Sequence, residues 1–259
     1  MTAVFLADPA LPARHGFFTR IGGVSECPYA SLNCSLSGQD ARGAVLENRG
    51  RAARALGAEP THLVGLMQVH GVAVASVDVP WKPGEGPQAD AMVTDRAGIA
   101  LGIVTADCAP VLFADPVAGV VGAAHAGWKG AVAGVLEATV AAMEARGAER
   151  SRVVAAVGPC IGQDSYEVAG DLRDAVLAHD AGYQRFFADG RRAGRWQFDL
   201  AGYCLGRLTA AGLGRVVHAA ADTLADEARF FSHRRRTLAG GGPIGHQISI
   251  IVGSGPCHT

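Results

Sequence analysis

No apolar run in this chain approaches the roughly 18 residues that a membrane-crossing helix needs, because Asp107, Asp115 and His125 interrupt its most hydrophobic region. Nothing in it is expected to span a bilayer. Net charge is lacking too: 23 basic residues stand against 24 acidic ones. Without a broad positive surface, nucleic acid is not an expected partner. Lysine is almost missing, Lys82 and Lys129 being the two in the chain, and the arginine excess reads as compositional bias. The cysteines at 27, 34, 108, 160, 204 and 257 form no CxxC pair, so no disulfide framework is expected. The opening MTAVFLADPALPARHGF has neither the basic start nor the apolar stretch of a secretion signal, which makes the cytoplasm the expected compartment. No linker-like break divides the chain, and one domain over residues 1–259 is expected.

What is present is ample core material, 49% hydrophobic against 18% charged. Apolar, β-branched runs bounded by Gly, Pro and Asp predict strands near 15–20, 63–69, 72–77, 90–94, 99–106, 110–115, 119–124, 152–157 and 248–252. Val132, Val135, Leu136, Val140 and Met143 fall at helical spacing, predicting a helix over 130–146 that Gly147 stops. Further helices are predicted at 43–56, 168–180 and 199–211, the last with Asp199 as N-cap. Residues 181–195 read as a surface excursion and 237–245 as a mobile loop. Strands dominate the first half and helices punctuate both halves. The expected class is therefore α+β, mixed sheets packed as a sandwich with helices outside, rather than regular βαβ alternation.

Chemistry concentrates in residues 89–130, ADAMVTDRAGIALGIVTADCAPVLFADPVAGVVGAAHAGWKG. Read as a meander of 99–106, 110–115 and 119–124, this segment brings Cys108 and His125 to one sheet edge. A strand ending at Gln68-Val69-His70 can supply a second imidazole. Two imidazoles and a thiolate suit zinc, and three protein ligands leave a coordination position open, as in catalytic rather than structural sites. The intervals of 38 and 17 residues match no general ligand pattern. Cysteine is also a commonly buried residue and a strand-end histidine is often only hydrogen-bonded in place. HAGWKG leads into a helix start whose free N–H groups suit an anion such as phosphate, with Lys129 as a substrate contact.

At these residues the sequence resembles the laccase-domain family, also described as multicopper polyphenol oxidase-like or YfiH-like. The resemblance runs through HGFFTRIGGVS (15–25), YASLN (29–33), ENR (47–49), QVHG (68–71), ADAMVTD (89–95), TADCAPVLFAD (105–115), AHAGWKG (124–130), VGPCIG (157–162), YEV (166–168) and FFSHRR (230–235). It implies that His70, Cys108 and His125 are zinc ligands. It also implies phosphorolysis of adenosine, inosine, guanosine and methylthioadenosine, deamination of adenosine, and a fold distantly like the catalytic domain of cytotoxic necrotizing factor toxins. The chain departs from the family's pattern at Asp222-Thr223, at Cys204 and in the tail GGGPIGHQISIIV, all of which bear on the outer pocket.

Phosphorolysis needs an oxyanion held near the sugar, and guanidinium forks make Arg20 and Arg49 the candidate phosphate or substrate contacts. A zinc-bound water that deaminates adenosine needs a separate acid or base, for which Asp107 and Glu167 are the candidates. Three rivals stand beside this reading. A metal-free hydrolase would use Cys108 as nucleophile and His125 as base. A peptidoglycan-precursor editing factor is implied by some relatives. A copper oxidase is the poorest fit, since a multicopper centre draws on many imidazoles and these nine histidines contain no HxH pair.

Overall fold

The computed structural model describes residues 2–255; Cys257 lies outside them. The strands of the first half are β1 (Phe5–Leu6), β2 (His15–Phe18), β3 (Leu63–Val64), β4 (Val74–Ser76), β5 (Ala91–Thr94), β6 (Ala100–Thr105), β7 (Ala109–Asp115) and β8 (Val120–Ala126). Those of the second half are β9 (Val154–Val157), β10 (Glu167–Val168), β11 (Phe187–Asp189), β12 (Trp196–Phe198), β13 (Arg215–His218) and β14 (Gln247–Val252). The helices are α1 (Arg42–Ala55), α2 (Trp128–Ala133), α3 (Val135–Glu144), α4 (Gly170–Leu177), α5 (Leu200–Ala210) and α6 (His233–Leu238).

The strands form a five-stranded sheet, β1-β2-β14-β6-β3, a six-stranded sheet, β13-β9-β7-β8-β5-β4, and a small sheet, β10-β12-β11. Both large sheets mix parallel and antiparallel pairs. Period-two alternation shows how they stack. Leu112 and Ala114 of β7 and Val121 and Ala123 of β8 share one apolar cluster with Leu101, Ile103 and Ile251 of the opposing sheet. The alternate residues Val111, Phe113 and Ala124 face α3 and α5, whose Leu136, Val140, Met143, Tyr203 and Leu208 complete a second cluster. On the far side Ile248 and Ile250 of β14 meet Ala52 and Ala53 of α1. The order of layers is helix, sheet, sheet, helix. Central strands buried on both faces have no polar side, which is why they read as continuous apolar runs.

Four expectations are corrected. The meander does not exist: β6 pairs with β14 and β3 in one sheet, whereas β7 and β8 pair in the other. The chain changes sheets at 106–108, where Asp107 takes φ 86°. The predicted helix over 130–146 is two helices, broken by Gly134 at φ 103°, a left-handed conformation that glycine adopts without a Cβ clash. His70 does not end a strand, since β3 stops at Val64 and His70 sits in a loop at φ 61°. Residues 181–195 are more than a surface excursion, because a 3-10 turn (Ala181–Phe186) and β11 bury Phe186 and Phe187 against the core. Asp199 caps α5 as expected, its carboxylate accepting from the Gly202 N–H.

Candidate metal centre

Antiparallel pairing of β7 with β8 sets Ala109 opposite Ala126 and Pro110 opposite His125. Cys108, which leads into β7, and His125 therefore meet at one end of the sheet. The loop carrying His70 closes over them. Its anchor is Asp90, fully buried ahead of β5, whose carboxylate accepts from the N–H groups of Val69 (3.2 Å), His70 (2.9 Å) and Gly71 (2.6 Å). The same carboxylate accepts from His125 Nδ1 at 2.8 Å. One side chain thus holds both imidazoles. Gln68 adds a second anchor, donating to Val104 O at 2.8 Å and accepting from Val104 N at 2.9 Å.

With Nδ1 of His125 donating to Asp90, its Nε2 is left as a lone-pair donor, the arrangement by which an outer carboxylate orients a metal-binding histidine. The ligand atoms of His70, Cys108 and His125 all lie within 4.8 Å of one another, and Cys108 Sγ is 4.0 Å from His70 Nε2. The two rings meet edge to face, centroids 4.7 Å apart. This trio can hold a metal ion. Gly127 is needed beneath it: a Cβ there would sit 2.9 Å from His70 Cδ2 and 3.0 Å from Cys108 Sγ.

Charge follows the same geometry. Burial alone would raise the Cys108 thiol, but His125 and His70 beside it outweigh that and bring it down to about 6. Burial works against a charge on His125 as well, yet the Cys108 thiolate and the Asp90 carboxylate lift its imidazole to about 9. Asp90, in spite of its burial, is held below the usual carboxylate range by the bonds from His125, Gly71 and His70. Without a metal the site is a thiolate–imidazolium pair backed by a carboxylate.

The trio opens into a cavity of about 830 Å³, lined on its apolar side by Met67, Trp128 and Tyr166. Of the other expected site residues, Arg49 and Lys129 line it and Arg20 does not. Arg20 donates to the carbonyls of Ala30 and Glu227 and lies over the Phe231 ring, so its fork ties chain segments together. Asp107 borders the cavity, but its carboxylate accepts from Thr223 Oγ1, Ser232 Oγ and Arg234 N, which occupies both oxygens. Glu167 stands apart from the cavity and is bound by Arg191 N and Arg192. Neither carboxylate is presented as a free acid or base. Cys204 is packed in the core, whereas His246 lines the cavity.

Sequence reasoning missed Asp90, Gln68, Thr105, Tyr166 and His246. The signal for Asp90 was an acid at the head of the apolar stretch 89–94, a position that needs a buried partner.

The family described as multi-copper polyphenol oxidoreductase laccase matches residues 14–254. A Streptomyces griseus protein named purine nucleoside phosphorylase ORF3 is 53% identical over 170 residues, covering 65% of this chain and 69% of that one. A Deinococcus radiodurans protein named purine nucleoside phosphorylase is 44% identical over 232 residues, 89% of this chain and 87% of that one. Among solved structures, a Neisseria meningitidis protein matches with TM-score 0.86 and 33% identity over 98% of this chain and 100% of that one. YlmD of Geobacillus stearothermophilus matches with TM-score 0.85 and 30% identity, over 98% and 96% respectively.

Proposed function

Since the chain belongs to the laccase-domain family, we propose that it is a zinc-dependent purine nucleoside phosphorylase whose metal is held by His70, Cys108 and His125. The observation that carries the reading is the convergence of those three donors, oriented by Asp90, on a cavity large enough for a nucleoside. Imidazole and thiolate are both zinc donors and catalytic zinc sites use three protein ligands, while the names of relatives such as the Deinococcus radiodurans protein supply the substrate class. Bound by His70, Cys108 and His125, zinc would supply a Lewis acid to the reaction.

In the reaction an oxygen of hydrogen phosphate bonds to the anomeric carbon as the bond from that carbon to the purine nitrogen breaks. The bond's electron pair leaves with the base, and the phosphate's proton ends on the purine. The protein's part is positioning and charge. Asp90 fixes the ring of His125 and the loop of His70, Arg49 and Lys129 bring positive charge to the cavity wall, and Trp128 and Tyr166 offer flat surfaces for a purine. Asp107 is a positioning residue that joins the Cys108 turn to the 223–234 segment. Adenosine deamination would require a proton carrier other than Asp107 or Glu167, whose oxygens are already engaged.

The test is metal analysis of protein purified without added metal, followed by inosine with phosphate. One zinc per chain and release of ribose 1-phosphate are the expected results; cleavage that survives full removal of the metal would overturn the mechanism. The lowered Cys108 thiol beside a carboxylate-backed His125 favours one second reading, a Cys–His hydrolase. Alkylation and chelation separate the two, because a nucleophile ignores chelators.

A further inference from the structure

Three polar side-chain atoms of cavity-lining residues are shielded from solvent and have no hydrogen-bond partner: Arg49 Nη2, Thr105 Oγ1 and His246 Nδ1. The other such atoms among the described residues, on Glu137, Arg173, Gln197 and Arg236, belong to residues away from the cavity wall. Arg49 and Thr105 are 5% and 1% exposed. An orphaned buried donor costs about 1–3 kcal/mol, more when charged, so three among the residues lining one cavity call for a ligand.

The fold explains how they meet. Thr105 ends β6 and pairs with Gln247, the first residue of β14, so Thr105 and His246 share one end of the five-stranded sheet. Arg49 rises from α1 beneath that end. Its Nη1 donates to the Cys34 carbonyl at 3.3 Å, and the Cys34 N–H donates to the His246 carbonyl at 3.0 Å. A Cβ at Gly65 would lie 3.0 Å from Arg49 Nη2, so glycine keeps the guanidinium's approach clear. Among the described residues Arg49 forms no ion pair, so a buried cation in the cavity lining has no counterion.

The chemistry of the set selects the ligand. A guanidinium N–H, a hydroxyl and an imidazole N–H can all donate. The guanidinium carries a positive charge that favours an anion, and the one carboxylate lining the cavity among the described residues, Asp107, is already engaged by three donors. Burial, with His233, His125 and Arg236 nearby, pushes the His246 imidazole down to about 4, so at neutral pH it is uncharged, its Nδ1 donates in one of the two tautomers, and Arg49 supplies the charge. We propose that Arg49, Thr105 and His246 form an oxyanion subsite that takes inorganic phosphate within the metal-side cavity. The proposal rests on the phosphorylase reading and adds to it the residues that hold the second substrate.

The experiment measures binding of inorganic phosphate to the zinc-loaded and the zinc-free protein by titration calorimetry. In parallel it measures KM for phosphate and for inosine. Both are done for the wild type, Arg49→Met, Thr105→Val and His246→Phe. Loss of a hydrogen bond to a charged group is expected to raise KM for phosphate roughly ten- to a hundredfold in each variant, with KM for inosine within about twofold of wild type. Phosphate binding should persist in the zinc-free wild type and weaken in parallel in the variants. If Arg49→Met does not fold, the Thr105 and His246 variants carry the test. Unchanged phosphate KM and binding in them, or a rise in inosine KM instead, overturns the subsite. A wild type that binds phosphate through these residues but cleaves no nucleoside overturns the phosphorylase reading and leaves the subsite standing.

Discussion

Asp90→Asn is the sharpest single perturbation of the metal centre. The carboxylate accepts four bonds, from His125 Nδ1 and from the N–H groups of Val69, His70 and Gly71. An amide of the same shape keeps one acceptor oxygen and turns an N–H group toward donors, so at least two of the four bonds are lost. At about 1.5 kcal/mol as the lower figure for a bond to a charged group, the loss is about 3 kcal/mol, or a fall in Tm of roughly 6–12 °C for a protein of this size. The His125 ring and the His70 loop are both released, so metal affinity should drop by about ten- to a hundredfold. Calorimetry of metal-free protein reads the first effect and competition with a chromogenic chelator reads the second. The sign with pH is fixed by the lowered folded-state value of Asp90. Its contribution is present above the ordinary value of about 3.9 and is lost as pH falls through the lower folded value, so the gap between wild type and variant should hold at neutral pH and close in acid. Unchanged Tm and unchanged zinc affinity in the Asp90→Asn variant would refute the assignment of Asp90 as the anchor.

Cys108→Ala and His70→Ala should lose bound metal and nucleoside cleavage together while circular dichroism stays that of the folded protein; retained activity in a metal-free variant counts against the mechanism. Gly127→Ala places a Cβ 2.9 Å from His70 and 3.0 Å from Cys108, and chelator competition should show metal affinity at least about tenfold weaker. Because His125 is raised to about 9 and Cys108 lowered to about 6, metal loading near pH 7.5 should displace the His125 proton and find the thiolate already formed. Calorimetry in buffers of different ionisation enthalpy should count about one proton released from this pair, and affinity should climb as pH rises toward 9. The folding contribution of His125 in metal-free protein runs the other way, present below about 6.5 and lost as pH rises through its folded value.

The layers of the fold were legible because their signal is local. Apolar runs with Gly and Pro at their ends marked β5 to β9 and β14 to within a few residues, and Asp199 marked the start of α5. What could not be read was pairing. Nothing local distinguishes Ala100–Thr105 as the partner of β14 from the same strand as the partner of β7, since both arrangements bury both faces. The ligand trio was legible as residue types, and the resemblance linked them, but the carboxylate behind two of them was not. Asp90 acts through three backbone N–H groups from a loop twenty residues earlier, and backbone donors leave no trace in side-chain identity. Arg20 and Arg49 illustrate the same limit: both are arginines in the motifs of the resemblance, yet one spends its fork on carbonyls away from the cavity and the other lines the cavity with one N–H unpartnered.

The meander reading and the observed crossover bring Cys108 and His125 to the same edge, but they make different sites. In a meander, Cys108 would sit in a tight turn within one sheet, with solvent on one side. In the crossover, the chain passes between two sheets at Asp107, and the cavity opens in the seam they leave. One wall is then built from β6, β14 and α1, carrying Thr105, His246 and Arg49, and the other from β7, β8 and α2, carrying Cys108, His125 and Lys129. Holding that seam open costs backbone freedom: His70 and Asp107 both take positive φ, a conformation unfavourable for residues with a Cβ. Each is held by a carboxylate at the site, His70 by Asp90 through its N–H and Asp107 by its own oxygens on Thr223, Ser232 and Arg234. The two carboxylates therefore fix the loop of His70 and the turn at Asp107, the two places where the chain bridges the sheets beside the cavity.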